Sequence, residues 1–368
     1  MRPALSPAPL TAPHPFQRSR PTALTLACSI TLLLGLAGCG GGNFDEPSAS
    51  TAEAPATEMA SASDPAERQT IQAVADPRAE AAQATANSSA NVCAAIRPFY
   101  WEVGNREGRS AGGAVLSNRM RTVYGPATAV PLASASKWLY GAYVVEKNAG
   151  VLSAQDIDML SMRSGYTSFD ECPAGSTVQR CLDSGNNGRY TPENDHSFFY
   201  NGGHMQKHAV LNGLGGASTT ALAAAVRGQI GKEIAINYAR AQPAGGAVAT
   251  PDAYAKFLRK LLKGELRLGT MLGSHAACTS PSLCAPGEAT FSPVEALGNV
   301  HYSLGHWVED DASGDGAFSS GGTFGFYPWI DAGRTSYGIV SRYQVDGGPA
   351  SRACGRLIRK AWAIGRAQ

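Results

Sequence analysis

The sequence predicts an α+β domain. A strand-like segment opens the folded region at Pro98–Val103, helical segments fill residues 134–266, and four strand-like runs between His301 and Tyr343 precede one closing helix. With helices in the middle and strands at both ends, the first and last strands are expected to share an antiparallel sheet. The chain has 368 residues, 43% of them hydrophobic, so a sizeable core can form. Charged residues make up 16%, against about 25% in an average soluble domain. A net charge of +2 gives no reason to expect nucleic acid as a partner.

Residues 1–21 carry Arg2, Arg18 and Arg20 and no acid. The apolar run Leu24–Ala37 that follows is shorter than the ~20 residues that span a bilayer. It leads into Leu36-Ala37-Gly38-Cys39, so residues 1–38 read as a secretory signal peptide. The Cys directly behind small residues resembles a bacterial lipoprotein signal. That resemblance implies export, a lipid on Cys39 and a membrane as partner through the anchor. Gly40 in place of an Asp favours the outer membrane, facing the periplasm.

Residues 39–90 are rich in Ala, Ser, Thr, Glu and Pro, with Phe44 their one aromatic. Such a segment buries too little apolar surface to offset chain entropy and is expected to be a disordered linker. Pro77–Ala84 can turn helical, with Asp76 as its cap. The working domain is expected over residues 91–368, where 26 basic residues outnumber 21 acidic ones.

Within it, Pro98–Val103 (PFYWEV) has the aromatic and β-branched content of a strand. Ser134–Asn148 is expected to be a strongly apolar helix that stops at Gly150. Ser153 caps a second helix to Met162, with Asp156 in its first turn. Ser164–Arg189 reads as loop and Thr219–Ile230 as helix. Thr250-Pro251-Asp252 opens a helix to about Leu266, with Pro at the first helical position. Strands are expected at His301–Glu309, Ala317–Ser320, Phe324–Ile330 and Ser336–Tyr343, and a helix at Ala350–Ile364.

Outside Cys28 and Cys39 six cysteines remain, an even number that in an exported chain predicts disulfides. Spacing argues for Cys172–Cys181 and Cys278–Cys284 as local loops. That leaves Cys93–Cys354 to join the two ends of the domain. No Cys-x-x-Cys occurs, so neither zinc nor thioredoxin-like chemistry is expected.

The strongest chemical signal is Ser134-Ala135-Ser136-Lys137, the sole Ser-x-x-Lys in the chain. A Ser at a helix start and a Lys three residues on share a face, so the amine can reach the hydroxyl. A desolvated Lys has a lowered pKa and can take the hydroxyl proton. The helix N-terminus adds positive potential where a carbonyl oxygen becomes negative. Lys137 also sits among apolar residues (Ser136-Lys137-Trp138-Leu139-Tyr140), where a purely structural Lys is costly.

Pro131-Leu132-Ala133-Ser134-Ala135-Ser136-Lys137-Trp138-Leu139 resembles the nucleophile motif of the serine β-lactamase and penicillin-binding protein superfamily. The similarity is to the branch with class C β-lactamases, family VIII carboxylesterases and D-amino peptidases. Further matches fall in order. They are Leu160-Ser161-Met162-Arg163-Ser164-Gly165-Tyr166, then Pro243-Ala244-Gly245-Gly246 with Thr250-Pro251-Asp252, and Ser320-Gly321-Gly322-Thr323-Phe324-Gly325. The resemblance spans about residues 95–362. It implies a serine β-lactamase-like fold, an antiparallel sheet flanked by helices with a helical lobe.

It also implies acyl transfer to water without cofactor or metal. Ser134 would attack a carbonyl, with Lys137 and Tyr200 moving protons. The Ser134 and Thr323 amides would form the oxyanion hole, beside a strand segment of Ser320, Gly321 and Gly322. Tyr200 is matched through Phe198-Phe199-Tyr200-Asn201-Gly202-Gly203, where Asn201 stands one place earlier than the family's substrate-binding Asn. Ser320 stands where the family carries Lys or His and cannot supply that charge to a substrate carboxylate. This tilts the expected substrates towards small uncharged esters, with small amides and D-amino-acid peptides next. A true β-lactamase or DD-peptidase, and a catalytically weak or inactive binding lipoprotein of the same fold, remain alternatives. A cation for an anionic substrate is expected first from Arg342. His204 and His208, four apart, lack a third metal ligand. Gly213-Leu214-Gly215-Gly216 lacks the strand and acid of a nucleotide loop.

Overall fold

The structure is a computed structural model, and it describes residues 76–368. The signal peptide, Cys39 and most of the linker lie outside the described residues. The first element is not linker but a folded helix, α1 (Pro77–Asn87), capped by the Asp76 carboxylate, which accepts from the Arg78 amide. The domain therefore begins about fourteen residues before the expected Asn91 (its first helical residue is Pro77). The reason is the type of packing. α1 buries Ala81, Ala82, Thr85 and Ala86, small side chains that let two helices approach closely yet read as low-complexity sequence.

β1 (Phe99–Asn105) and β2 (Arg109–Val115) form an antiparallel hairpin. β3 (Val130–Pro131) leads through a 3-10 turn at Ala133–Ala135 into α2 (Ser136–Lys147). α3 (Ala154–Leu160) follows, with the expected Ser153 cap made reciprocal by Asp156. α4 (Val178–Leu182) is a short helix inside the expected loop. β4 (Phe198–Phe199), α5 (Gly203–Ala209) and α6 (Thr219–Ile230) complete the helical lobe. β5 (Ile236–Tyr238) and β6 (Ala247–Ala249) pair with β3 in a small sheet. α7 (Pro251–Lys263) has Thr250 as its cap and ends at Gly264 in the left-handed region.

Six strands follow: β7 (Ala277–Cys278), β8 (Ala289–Phe291), β9 (His301–Ser303), β10 (His306–Glu309), β11 (Ala317–Ser319) and β12 (Tyr327–Ile330). β13 (Ser336–Ser341) and α8 (Gly348–Ile364) end the chain. The expected strand His301–Glu309 is split into a hairpin at Leu304-Gly305, where α2 crosses. Cβ atoms on Gly141 and Gly305 would collide with the Leu304 and Lys137 carbonyl oxygens, so only glycines allow this contact.

The main sheet has the order β2-β1-β13-β12-β11-β10-β9-β7, with every pair antiparallel. The first and last strands pair, Tyr100 opposite Ser341. Alternation along β1 sorts two cores. Phe99, Trp101 and Val103 pack with Ala82, Ala86, Ile358 and Trp362 of α1 and α8, whereas Tyr100 joins the core shared with α2, α6 and α7. Three disulfides are present, Cys93–Cys354, Cys172–Cys181 and Cys278–Cys284. They are the pairs that the spacing suggests.

Candidate active site

Ser134 lies in the 3-10 turn before α2 rather than in the helix itself. The preceding Ala133 has φ of 45°, a left-handed conformation that costs a non-glycine residue energy and recurs at functional turns. Lys137, on the first turn of α2, is buried, and its Nζ lies 3.0 Å from Ser134 Oγ and 3.0 Å from the Ala244 carbonyl oxygen. Ala244 belongs to the Pro243–Gly246 segment, so that loop orients the amine. Among the described residues no carboxylate lies within ion-pair distance of Lys137, and burial pushes its pKa down to about 7. A neutral amine beside a Ser hydroxyl can act as a general base.

Tyr200 follows β4, its amide donating to the Phe291 carbonyl. Its ring stacks on Trp307, with centroids 5.1 Å apart, and lies 4.8 Å from Lys137 Nζ. Burial pushes the phenol up to about 12, with the Ser134 hydroxyl and the Trp307 indole offsetting part of the rise. At neutral pH the pair is thus divided, with Lys137 able to accept a proton and Tyr200 holding one.

His204 on α5 supports this strand. One ring nitrogen, Nε2, bonds the Phe199 carbonyl at 2.8 Å, and Nδ1 bonds the Ser164 hydroxyl at 2.8 Å. Burial drives its pKa down to about 4. His208 bonds Tyr140 and Asp156, so all four imidazole nitrogens have protein partners and neither ring is a free ligand. Cys278, Cys284 and Glu288 have metal-like spacing among the described residues, but both sulfurs are in a disulfide. The Asn201 side chain turns back to accept from the Gly203 amide and does not line the cleft.

Beyond β11 the chain leaves the sheet and passes over Ser134. The expected strands Ala317–Ser320 and Phe324–Ile330 stop short on both sides of this crossing. Ser320 donates its hydroxyl to the Ser134 carbonyl at 3.2 Å, so its side chain serves the nucleophile turn. Gly322 presses on that turn, and a Cβ there would collide with the Leu132 carbonyl oxygen. Among the described residues neither the Ser134 nor the Thr323 amide has a hydrogen-bond acceptor. Both residues line the same cleft with Gly321 and Gly322. Two unpaired amide donors beside a Ser hydroxyl have the arrangement that an oxyanion hole requires.

The cleft has a volume of about 170 Å³. Three features of it carry no local sequence signal: the apolar segment Pro293–Val300, Trp307, and Arg352 on α8. Arg352 has no hydrogen-bond or ion-pair partner among the described residues, and burial lowers its pKa. Arg342 is buried against Gly325 and does not line the cleft. Gly108-Arg109-Ser110-Ala111-Gly112 spells the G-x-S-x-G of a nucleophile elbow. It lies along β2 with Ser110 exposed, and not at a strand-to-helix turn.

No family model and no curated protein matches the sequence. Solved structures do. A D-stereospecific amidohydrolase from Streptomyces sp. superposes over 78% of this chain and 99% of its own, at 14% identity and a TM-score of 0.57. EstCE1, a hydrolase with promiscuous acyltransferase activity, superposes over 78% and 98%, at 12% identity and a TM-score of 0.56. A penicillin-binding protein homologue from Caulobacter crescentus superposes over 77% and 97%, at 12% identity and a TM-score of 0.56. An antiparallel sheet flanked by helices, with a helical lobe against the cleft, gives this chain the serine β-lactamase-like fold.

Proposed function

We propose that the chain is an exported, lipid-anchored serine hydrolase that cleaves small acyl compounds through an acyl-enzyme on Ser134. The observation that carries this is the Ser134–Lys137 contact of 3.0 Å with the amine poised near pH 7. Neutral Lys137 takes the Ser134 proton as Oγ attacks the carbonyl. The oxygen, now negative, is held by the Ser134 and Thr323 amides. Tyr200 supplies a proton to the departing group. Water then attacks the acyl carbonyl and gives its proton to the Tyr200 phenolate, and Ser134 Oγ leaves with the proton held by Lys137, which restores all three groups. The paired cysteines support export, because disulfides persist in oxidising compartments.

Ser134→Ala is expected to abolish covalent labelling by a fluorophosphonate probe and to lower turnover of p-nitrophenyl butyrate by at least about 10³-fold. Turnover within tenfold of wild type would refute the nucleophile.

Arg352 favours a second reading for the substrate. Neutral Ser320 argues for uncharged esters, but an unpaired guanidinium in the cleft suits a carboxylate, as on a D-amino-acid peptide. Comparing kcat/KM for the ester and for an anionic amide in Arg352→Ala separates the two, since only the anionic substrate should suffer.

A further inference from the structure

We infer that the cleft holds a dedicated chamber for a short apolar acyl group, walled by Val294, Leu297, Val300 and Trp307. This rests on the proposed hydrolase reading and deepens it by naming the substrate class. The residues belong to two parts of the chain. Trp307 comes from β10. The other three come from one excursion between β8 and β9, with a single 3-10 turn at Glu295–Leu297. Val294 and Val300 are buried, Leu297 is half-buried, and all three line the cleft with Ser134 and Tyr200.

The excursion is pinned at both ends, so the wall is preformed. At its start, β8 runs parallel to β4, and the Phe291 carbonyl accepts from the Tyr200 amide at 3.1 Å. At its end, the Thr279 hydroxyl donates to the Val300 carbonyl, and Cys278 Sγ lies 3.1 Å from the Asn299 side-chain oxygen. Thr279 sits inside the loop closed by Cys278–Cys284. The disulfide thus braces one end of the wall, and the catalytic Tyr strand braces the other. A cleft of about 170 Å³ compares with the ~150 Å³ apolar cavity that holds one benzene molecule. The scissile carbonyl and the leaving group share that space, so the wall suits an acyl group no larger than a phenyl ring or a chain of about six carbons.

The test uses the mature chain and p-nitrophenyl esters from acetate to dodecanoate. kcat/KM should rise about fourfold per added methylene to about six carbons, then fall. Leu297→Ala with Val300→Ala should move the optimum to longer chains, and Leu297→Trp should move it to acetate. Cys278→Ser with Cys284→Ser should flatten the profile. A second measurement needs no turnover. In Ser134→Ala, hexanamide should bind at least tenfold tighter than acetamide, read as the fluorescence change lost in Trp307→Phe. A profile that falls from acetate onwards, an optimum unmoved by the wall variants, or equal binding of the two amides would overturn the chamber. Absent fluorophosphonate labelling together with tighter hexanamide binding would sink the hydrolase reading and leave the chamber standing.

Discussion

Lys137 loses its proton near pH 7 because burial strips the ammonium of water and no carboxylate replaces that water. If this amine is the base, kcat/KM should rise tenfold per pH unit below about 7 and level off above it. The Tyr200 proton, held up to about 12, would set no descending limb within the working range. A pH–rate profile on a neutral ester checks both limbs, and a flat profile from pH 5 to 8 would remove Lys137 from the role. The same group makes stability pH-dependent. Its folded pKa lies below the ordinary 10.5, so between pH 7 and 10.5 the unfolded chain binds more protons. Its contribution to stability therefore rises with pH across that window.

At the scale of elements, α8 is tied to the sheet by ion pairs as well as by apolar packing. One buried carboxylate, Glu309 on β10, bonds Ser319 on β11, Tyr327 on β12, and Arg356 and Arg359 on α8. Burial raises its pKa, but Arg359 and Arg356 more than offset this and keep it ionised. The network fixes the middle of α8, and the first turns of that helix carry Gly348, Pro349 and Arg352 to the cleft. α1 covers the other flank of α8. Arg78 lies 4.7 Å over the Trp362 ring, and Asn91 donates to the Gln368 carbonyl at 2.9 Å. A chain starting at residue 91 should be less stable than one starting at residue 76 by about 3 kcal/mol, from four small buried side chains at ~0.8 kcal/mol per buried carbon. Urea denaturation of the two chains measures this, and equal midpoints would show α1 to be dispensable.

Across the whole molecule, Cys93–Cys354 closes a loop of 261 residues. A bridge of that span removes conformations mainly from the unfolded chain. Both its cysteines are buried between α8 and the turn after α1, on the sheet face away from Ser134. Cys93→Ser with Cys354→Ser should cost about 2–5 kcal/mol in denaturant while leaving kcat on a short ester within about twofold. A large loss of kcat with little loss of stability would mean that the clasp shapes the cleft.

The α+β class, most helix starts and the Ser134–Lys137 pair were legible because each is written in neighbouring residues. Ser153 and Thr250 announce their helices through local caps, and a Ser-x-x-Lys places its two groups by helical geometry alone. β2 was not legible, because its Gly and Ser content is poor in strand signal and β1 alone recruits it. The Asp76 cap marked α1 as a helix, but its place in the folded domain was not legible, because Ala-on-helix packing has no large residue to mark it. The apolar wall, Trp307, and the turning of Asn201 and Ser320 towards backbone partners were decided only by the tertiary structure. Those positions lie up to about two hundred residues from Ser134 (the Ser320 contact spans 186), and no local rule links them. Sequence therefore determined which atoms could react. Packing of distant segments decided what surrounds them, because burial, which sets the Lys137 pKa and the size of the cleft, is a property of the assembled chain.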